Sequence, residues 1–314
     1  MEIVNFIYLF GGLFLLFEGG NYLVKSGVAL AKHFKVSDFL IAVIIVSMGT
    51  SFPELLVSVS AAIKHHPDIS IGNVVGSNIA NIALGIGIAS LFFPVVLRRK
   101  AIYFDWTIML IVSSLLIILS LDGTLSLIDG IIMLVIFIIY LSLSIRNDAH
   151  RELDIEDVKD IKPQFSLFVS FLILAISIFA LWLGAEGVIE GASNIARGLG
   201  ISERIISLTV VALGTSLPEI ATSMIAFYHK KPEITVGNII GSNIFNISLI
   251  LGLTASIYPI KVNEKFFSTD YPMLIITTIL LFPVINLLKR KTGIQIYSLL
   301  LLVIYGIYIF YLFY

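Results

Sequence analysis

Two short segments of this sequence place hydroxyls, a proline and a carboxylate inside apolar runs. The first reads VSMGTSFPELLVS from Val46, and the second reads VALGTSLPEIATS from Val211, 165 residues later. Residues three and four apart share one helical face, so Thr50 and Ser51 lie on the face of Glu54. The second segment repeats this set with Thr215, Ser216 and Glu219. Each segment therefore predicts a cluster of hydroxyl oxygens around one carboxylate.

A proline stands one residue before each carboxylate. Pro53 has no N–H and clashes with the carbonyl of Gly49, and Pro218 does the same to Gly214, so both carbonyls lose their helical partners. In lipid such groups need a protein, water or ion partner, and interrupted helices are where transporters offer backbone oxygens to cations. An all-oxygen site suits Ca²⁺ or Na⁺. Neither segment contains His or Cys, which disfavours zinc and copper.

The composition places these segments in a membrane. Of the 314 residues, 58% are hydrophobic and 13% are charged, whereas a soluble domain carries about 25% charged residues. Long stretches such as 69–97 and 234–260 contain no charge, and a spanning helix needs about 20 mostly apolar residues. The sequence predicts an all-α polytopic membrane protein with ten spans: 3–31, 38–63, 69–94, 101–121, 125–145, 164–197, 202–228, 234–258, 270–288 and 293–313.

A charged connection, 146–163, divides the chain into halves 1–145 and 164–314, and we interpret it as a solvated linker. The connections after odd-numbered spans hold 14 Lys and Arg, and those after even-numbered spans hold 5. Because cytoplasmic loops carry the excess of positive charge, we expect the linker in the cytoplasm and both termini outside the cell membrane.

The halves align without a gap at an offset of 165 residues. Five spans per half is an odd number, so the second half enters the membrane from the opposite side. Inverted repeats of this kind are typical of secondary transporters. The prediction is two inverted five-helix repeats, with helices 2 and 7 broken at the core.

Spans 3 and 8 supply a second matched pair of elements. Each carries a GxxxG pattern, Gly72 with Gly76 and Gly237 with Gly241, which lets helix backbones approach closely. Polar residues at spacings of three and four follow: Ser77, Asn78 and Asn81, matched by Ser242, Asn243 and Asn246. We infer that spans 2, 3, 7 and 8 form a core in which the two carboxylates face each other.

The charges favour exchange over simple binding. A carboxylate at the bilayer centre costs about 2.5–3.5 kcal/mol, and two close together repel. One divalent cation cancels both charges, and a proton or monovalent cations can replace it. A site that is neutral only when a cation fills it favours conformational switching while the cation is bound.

Three further glutamates lie in spans 1 and 6. Glu18, Glu186 and Glu190 lack the strict pairing (Glu186 falls opposite Asn21), and they either line an ion path or lie near polar interfaces.

These residues make the chain resemble the cation/calcium antiporter superfamily, and within it the prokaryotic sodium/calcium exchangers. The two family motifs look like Gly49–Glu54 with Gly76–Asn81, and Gly214–Glu219 with Gly241–Asn246. The resemblance covers nearly the whole chain. It implies Ca²⁺ between Glu54 and Glu219, with backbone carbonyls from Thr50 and Thr215. It implies sodium sites at Ser51, Ser216, Ser77, Ser242, Asn81 and Asn246, with carbonyls from Ser47 and Ala212, and spans 1 and 6 that slide against the core.

Other functions compete with Ca²⁺/Na⁺ antiport. Some relatives carry Asp where this chain has Asn246, so potassium co-transport is disfavoured, whereas asparagine at both matched positions also suits a Ca²⁺/H⁺ exchanger. A channel is usually built by oligomer symmetry around a filter, and the inverted repeat argues against one. GTSFPE is not the GxSxG elbow of a hydrolase, so we expect no enzyme. We expect no cofactor and no nucleic-acid partner, and a monomer that works in the lipid bilayer with inorganic cations.

Overall fold

The computed structural model describes residues 3–92, 99–150, 163–201, 212–287 and 291–313. Within these ranges eight helices are long and apolar enough to cross a membrane, and a pair bent by 46° after Thr50 makes a ninth span. These nine correspond to predicted spans 1–6 and 8–10. Predicted span 202–228 is described only from Ala212, because 202–211 lies outside the described residues, as does 151–162 of the predicted linker.

The described part of the chain is almost entirely helical. Its α-helices are α1 (Ile3–Phe34), α2 (Asp38–Ile41), α3 (Ser47–Thr50), α4 (Phe52–Ile63), α5 (Pro67–Ala80), α6 (Gly87–Phe92), α7 (Arg99–Leu119), α8 (Leu127–His150), α9 (Leu167–Gly198), α10 (Ala212–Gly214), α11 (Leu217–Tyr228), α12 (Pro232–Ile244), α13 (Gly252–Ile257), α14 (Tyr271–Leu287) and α15 (Lys291–Phe313). Wider π-helical turns occupy Ala42–Val46, Asn81–Ile86, Phe245–Leu251 and Phe266–Asp270. Two-residue strands β1 (Thr124–Leu125) and β2 (Ile260–Lys261) pair antiparallel. Helix α8 continues five residues beyond the predicted end at 145.

The third and eighth predicted spans lie at the centre of the molecule. In Pro232–Ile257, 94% of the apolar stretch is buried, and in Pro67–Leu91 the share is 78%, whereas none of the other six unbroken spanning helices in the described ranges exceeds 39%. The principal hydrophobic cluster is built around these two spans, with side chains such as Ile79, Ile239 and Ile244 fully buried. The polar residues that both spans carry are therefore held in the interior of the protein.

Helices α1 and α9 form a separate antiparallel pair across the core. Each has 32 residues, which corresponds to about 48 Å of helix and exceeds the roughly 30 Å hydrocarbon layer. Their backbones touch at glycines: a Cβ on Gly12 would lie 2.6 Å from the Gly184 carbonyl oxygen, and one on Gly191 would lie 2.5 Å from the Leu9 nitrogen. Side chains larger than hydrogen at these positions would force the two helices apart.

Helix ends match between the halves as well. Lys35 and Gly200, which are 165 residues apart, both adopt positive φ after α1 and α9, at 55° and 81°. His65 and Lys230, again 165 apart, adopt φ of 62° and 57° after α4 and α11. A left-handed residue satisfies orphan carbonyls and stops a helix. The two halves therefore end corresponding helices in the same way.

Candidate cation site

Both Gly-Thr-Ser-x-Pro-Glu segments interrupt a helix, as the prolines predict. Helix α3 ends at Thr50 and α4 starts at Phe52, with Pro53 in its first turn. Helix α10 ends at Gly214 and α11 starts at Leu217, with Pro218 in the same place. Proline is tolerated there because the first-turn N–H groups have no helical partner. Each break leaves the following carboxylate at the start of a new helix.

The carboxylates Glu54 and Glu219 are both fully buried in the first turns of α4 and α11. The helix N-terminus favours negative charge at that point. Ser51 Oγ donates a hydrogen bond of 2.9 Å to Glu219 Oε1, across the boundary between the halves. Ser51 and Glu54 lie three residues apart at the same helix break, so this bond brings Glu219 to the segment that carries Glu54. This arrangement concentrates two buried negative charges at one place.

Two asparagines brace these segments, and the sequence interpretation gave them no role. Asn73 Nδ2 donates to the Glu54 carbonyl oxygen at 3.2 Å and to Ser58 Oγ at 2.9 Å, while Thr215 Oγ1 donates to Asn73 Oδ1 at 3.3 Å. Asn238 repeats all three bonds, with the Glu219 carbonyl at 3.4 Å, Ser223 Oγ at 3.3 Å and Thr50 Oγ1 at 3.3 Å. The signal was present, because Asn73 and Asn238 match at the 165-residue offset.

The asparagines of spans 3 and 8 bind each other. Asn78 Nδ2 donates to the Asn243 carbonyl at 3.0 Å, and Asn243 Nδ2 donates to the Asn78 carbonyl at 3.1 Å. Asn81 Nδ2 then donates to Asn243 Oδ1 at 3.4 Å, and Asn246 Nδ2 donates to Asn78 Oδ1 at 2.9 Å. With their amide nitrogens engaged, Asn81 and Asn246 keep their carbonyl oxygens for another partner. Both lie in π-helical turns, which often occur at functional sites.

Several buried oxygens around the carboxylates have no hydrogen-bond partner among the described residues. They are Glu54 Oε1 and Oε2, Glu219 Oε2, Asn81 Oδ1, Asn246 Oδ1, Ser216 Oγ and Ser242 Oγ. Burying a polar atom without a partner costs free energy, and every oxygen in this set has lone pairs that can coordinate a cation. Across the described ranges no group of three or more His, Cys, Asp or Glu could hold a metal ion. The chemistry of this oxygen set fits hard cations.

The remaining predicted residues lie in the same elements. Ser77 Oγ lies 3.5 Å from Thr215 Oγ1 and beside the Glu54 carboxylate. The Ser47 hydroxyl donates to the Val43 carbonyl of its own helix, and the Ser47 carbonyl accepts the Thr50 hydroxyl at 3.3 Å. Ala212 is the first residue of α10.

Close backbone approach explains the second GxxxG pattern. A Cβ on Gly241 would lie 2.5 Å from the Val43 carbonyl oxygen, and one on Gly237 would lie 2.9 Å from the Phe39 carbonyl oxygen. Span 8 is thereby pressed against span 2. The corresponding partner of Gly72 and Gly76 would fall in 202–211, outside the described residues.

Comparison with known proteins gives a consistent result. The family model described as sodium/calcium exchanger protein matches residues 4–146 and 169–314. An uncharacterized membrane protein of Methanocaldococcus jannaschii is 37% identical over 79% of this chain and 80% of its own. A sodium/calcium exchanger of Methanosarcina acetivorans is 33% identical over 90% of this chain and 91% of its own.

A solved structure has the same fold. The sodium-calcium exchanger NCX_Mj, at 32% identity, superimposes with a TM-score of 0.84 over 99% of this chain and 100% of that one. The resemblance carried by the repeated motifs is confirmed, and this chain belongs to the sodium/calcium exchanger protein family.

Proposed function

We propose that this protein is a secondary antiporter that moves Ca²⁺ across the cell membrane in exchange for Na⁺. One observation carries the proposal: two buried carboxylates from matched segments converge among oxygens that have no partner within the described part of the chain. A Ca²⁺ ion accepts 6–8 oxygen ligands and cancels both charges. The Methanosarcina relative, a sodium/calcium exchanger by name, supports the same pair of ions.

The ligands divide between the two ions. Glu54 and Glu219 hold Ca²⁺, together with the backbone carbonyls of Thr50 and Thr215. Na⁺ binds at hydroxyl and amide oxygens around them, and carbonyls of Ser47 and Ala212 complete the outer positions. The sodium set is Ser51, Ser216, Ser77, Ser242, Asn81 and Asn246. The unpaired oxygens of Ser216, Ser242, Asn81 and Asn246 support this division.

Transport follows from the proposed architecture. Ten spans form two inverted five-helix repeats, 1–145 and 164–314, and the pair α1 and α9 slides against the central spans to expose the site alternately. The glycine contacts that join α1 to α9 support movement of this pair as one body. The excess of Lys and Arg in the connections after odd-numbered spans supports a cytoplasmic 146–163 linker and termini on the outside. The monomer suffices, because both carboxylates come from one chain.

Calcium uptake into proteoliposomes tests this function. A Na⁺ gradient is imposed with pH clamped on both sides, and then a pH gradient is imposed with Na⁺ clamped. We expect uptake with the Na⁺ gradient and none with the pH gradient. Uptake driven by pH alone would assign the counter-ion to H⁺. That alternative has one observation in its favour, since the matched Asn81 and Asn246 give the site two carboxylates and no third acid.

A further inference from the structure

One end of the core is packed against α1. A Cβ on Gly20 would lie 2.6 Å from Ile225 Cδ1, so α1 rests directly on the last turns of α11. His229, which follows α11, donates from Nε2 to Asn21 Oδ1 at 2.5 Å, since a carbonyl oxygen can only accept. Lys25, one turn further along α1, lies near the His229 ring. We call this the His229 end.

The opposite end of the core is open. The residues that match Ile225 and His229 at the 165-residue offset are Ser60 and Lys64, and both are exposed. With Leu56 and residues of α13, they line a groove of about 500 Å³ between α4 and α13. The groove occupies the face of α4 that corresponds to the α1-covered face of α11. We call this the Lys64 end.

The residues that would fill the groove are on α9. Ala185 matches Gly20, Glu186 matches Asn21 and Glu190 matches Lys25 at the same offset. Both glutamates are exposed, and Glu190 accepts a hydrogen bond from its helical neighbour Asn194 at 2.8 Å. The two helices therefore carry different charges at the matched positions. Helix α1 presents a cation and an amide to His229, whereas α9 has two carboxylates at the positions that match them.

The sizes of the matched residues are complementary. At the His229 end a glycine faces a large Ile225, and at the Lys64 end the matched pair is Ala185 and the smaller Ser60. One extra methyl on α9 is offset by a smaller side chain on α4. Helix α9 can therefore approach α4 about as closely as α1 approaches α11.

We propose that in the alternate conformation α9 packs into the groove on α4, with Glu186 and Glu190 forming ion pairs with Lys64. This charge latch closes the Lys64 end while α1 leaves Ile225 and His229 at the other end. It rests on the alternating access proposed above, and it adds the contacts that hold the second state. It also gives Glu186 and Glu190 a role outside the cation site.

Distance measurements on spin labels test the latch, and the absence of cysteine makes every introduced label unique. The reporter pair is Ile63→Cys with Leu183→Cys, which flanks the latch and leaves its three charges intact. The control pair occupies the positions that match these two at the 165-residue offset. It is Glu18→Cys with Tyr228→Cys, at the His229 end. We expect the protein in liposomes to show two conformations. In one of them the reporter distance is short and the control distance is long, and in the other the reverse holds.

Charge reversal then identifies the latch itself. Lys64→Glu should reduce the short-distance population about two- to tenfold, the worth of one or two exposed ion pairs. Adding Glu186→Lys and Glu190→Lys should restore it. A single reporter distance in every ion condition, or a population that Lys64→Glu leaves unchanged, would overturn the latch.

Failure of the latch and failure of the proposed function remain distinguishable. The distances do not depend on which ion is exchanged, and the flux assay does not depend on the labels. If the unmodified protein shows no Ca²⁺ flux driven by a Na⁺ gradient, the proposed function is wrong. Sodium-driven flux together with an unresponsive distance overturns the latch alone.

Discussion

The segments around Glu54 and Glu219 share the sequence Gly-Thr-Ser-x-Pro-Glu but differ in their contacts. Glu219 receives the Ser51 hydroxyl from the other half, whereas neither Glu54 oxygen has a hydrogen-bond partner in the described ranges. Ser216, the match of Ser51, has an unpaired hydroxyl on the same basis. The repeat therefore supplies two similar half-sites, and the packing makes them unequal. Glu54 therefore has more carboxylate oxygens without a partner than Glu219, and a bound cation stabilises it more.

The scaffold around the carboxylates is by contrast symmetric. Asn73 and Asn238 make the same three kinds of hydrogen bond, and Asn78 and Asn243 exchange bonds with each other's carbonyls. Around the carboxylates, the difference between the halves lies in the side chains of Glu54, Glu219, Ser51 and Ser216. A rigid symmetric frame with an asymmetric centre allows the binding groups to change partners while the helices that carry them keep their packing.

The largest expected effect comes from removing either charge. Glu54→Gln and Glu219→Gln should each lower Ca²⁺ uptake at least about 100-fold, because removing one partner of a buried charge set costs about 3–5 kcal/mol. Uptake into proteoliposomes is the measurement, and Glu264→Gln, at an exposed acid, is the control. Normal uptake in either core variant would contradict the site.

The two serines test the inequality directly. Ser51→Ala removes a hydrogen bond to a charged group, worth about 1.5–3 kcal/mol, so the Ca²⁺ concentration for half-maximal uptake should rise about tenfold or more. Ser216→Ala removes an unpaired hydroxyl and should leave that concentration within about threefold, while changing the dependence on Na⁺. Equal shifts in the Ca²⁺ dependence would show that the half-sites are equivalent in the working protein.

The matched asparagines test the symmetric part of the comparison. Asn73→Ala leaves the Ser58 hydroxyl and the Glu54 carbonyl without their donor, and Asn238→Ala does the same to Ser223 and Glu219. Each should lower the free energy of unfolding by about 1–3 kcal/mol, the cost of unsatisfied buried groups. The bonds of Asn73 are shorter, so its loss should be the larger. Thermal unfolding in detergent measures both.

This test needs a control substitution at the surface and an outcome that would contradict the expected ranking. Gln164→Ala lies in an exposed connection and should leave the melting temperature unchanged. A clearly larger loss from Asn238→Ala would place the stronger brace in the second half and contradict the ranking from bond lengths.

The sequence predicted the frame better than the contacts. Offset matching and proline chemistry predicted the two helix breaks, since both are local properties of the chain. They also selected the polar residues of spans 3 and 8. The partners of those residues were beyond reach, because a hydrogen bond such as Ser51 to Glu219 depends on how two remote helices pack. Asn73 and Asn238 were visible as a matched pair, but without coordinates nothing distinguished a brace from a ligand.

The smallest expected effect concerns the ends of the core, where His229 in one half matches Lys64 in the other. Burial lowers the pKa of His229 from its ordinary value of 6.5, and Lys25 lowers it further. The ring is therefore neutral when it donates to Asn21. Because the pKa is depressed in the contact, the contact is fully stable above pH 6.5. It weakens as pH falls from about 6.5 toward the depressed value, when the ring gains a charge beside Lys25.

Mild acidification on the side of His229 should therefore release α1 from α11. The Glu18→Cys and Tyr228→Cys label pair should show more of the long distance at pH 5.5 than at pH 7.5, and His229→Gln, which keeps a donor but cannot titrate, should remove that difference. A reporter distance at Ile63 and Leu183 that shortens with acid in the wild type, and not in His229→Gln, would show that the two ends are coupled through the α1 and α9 pair.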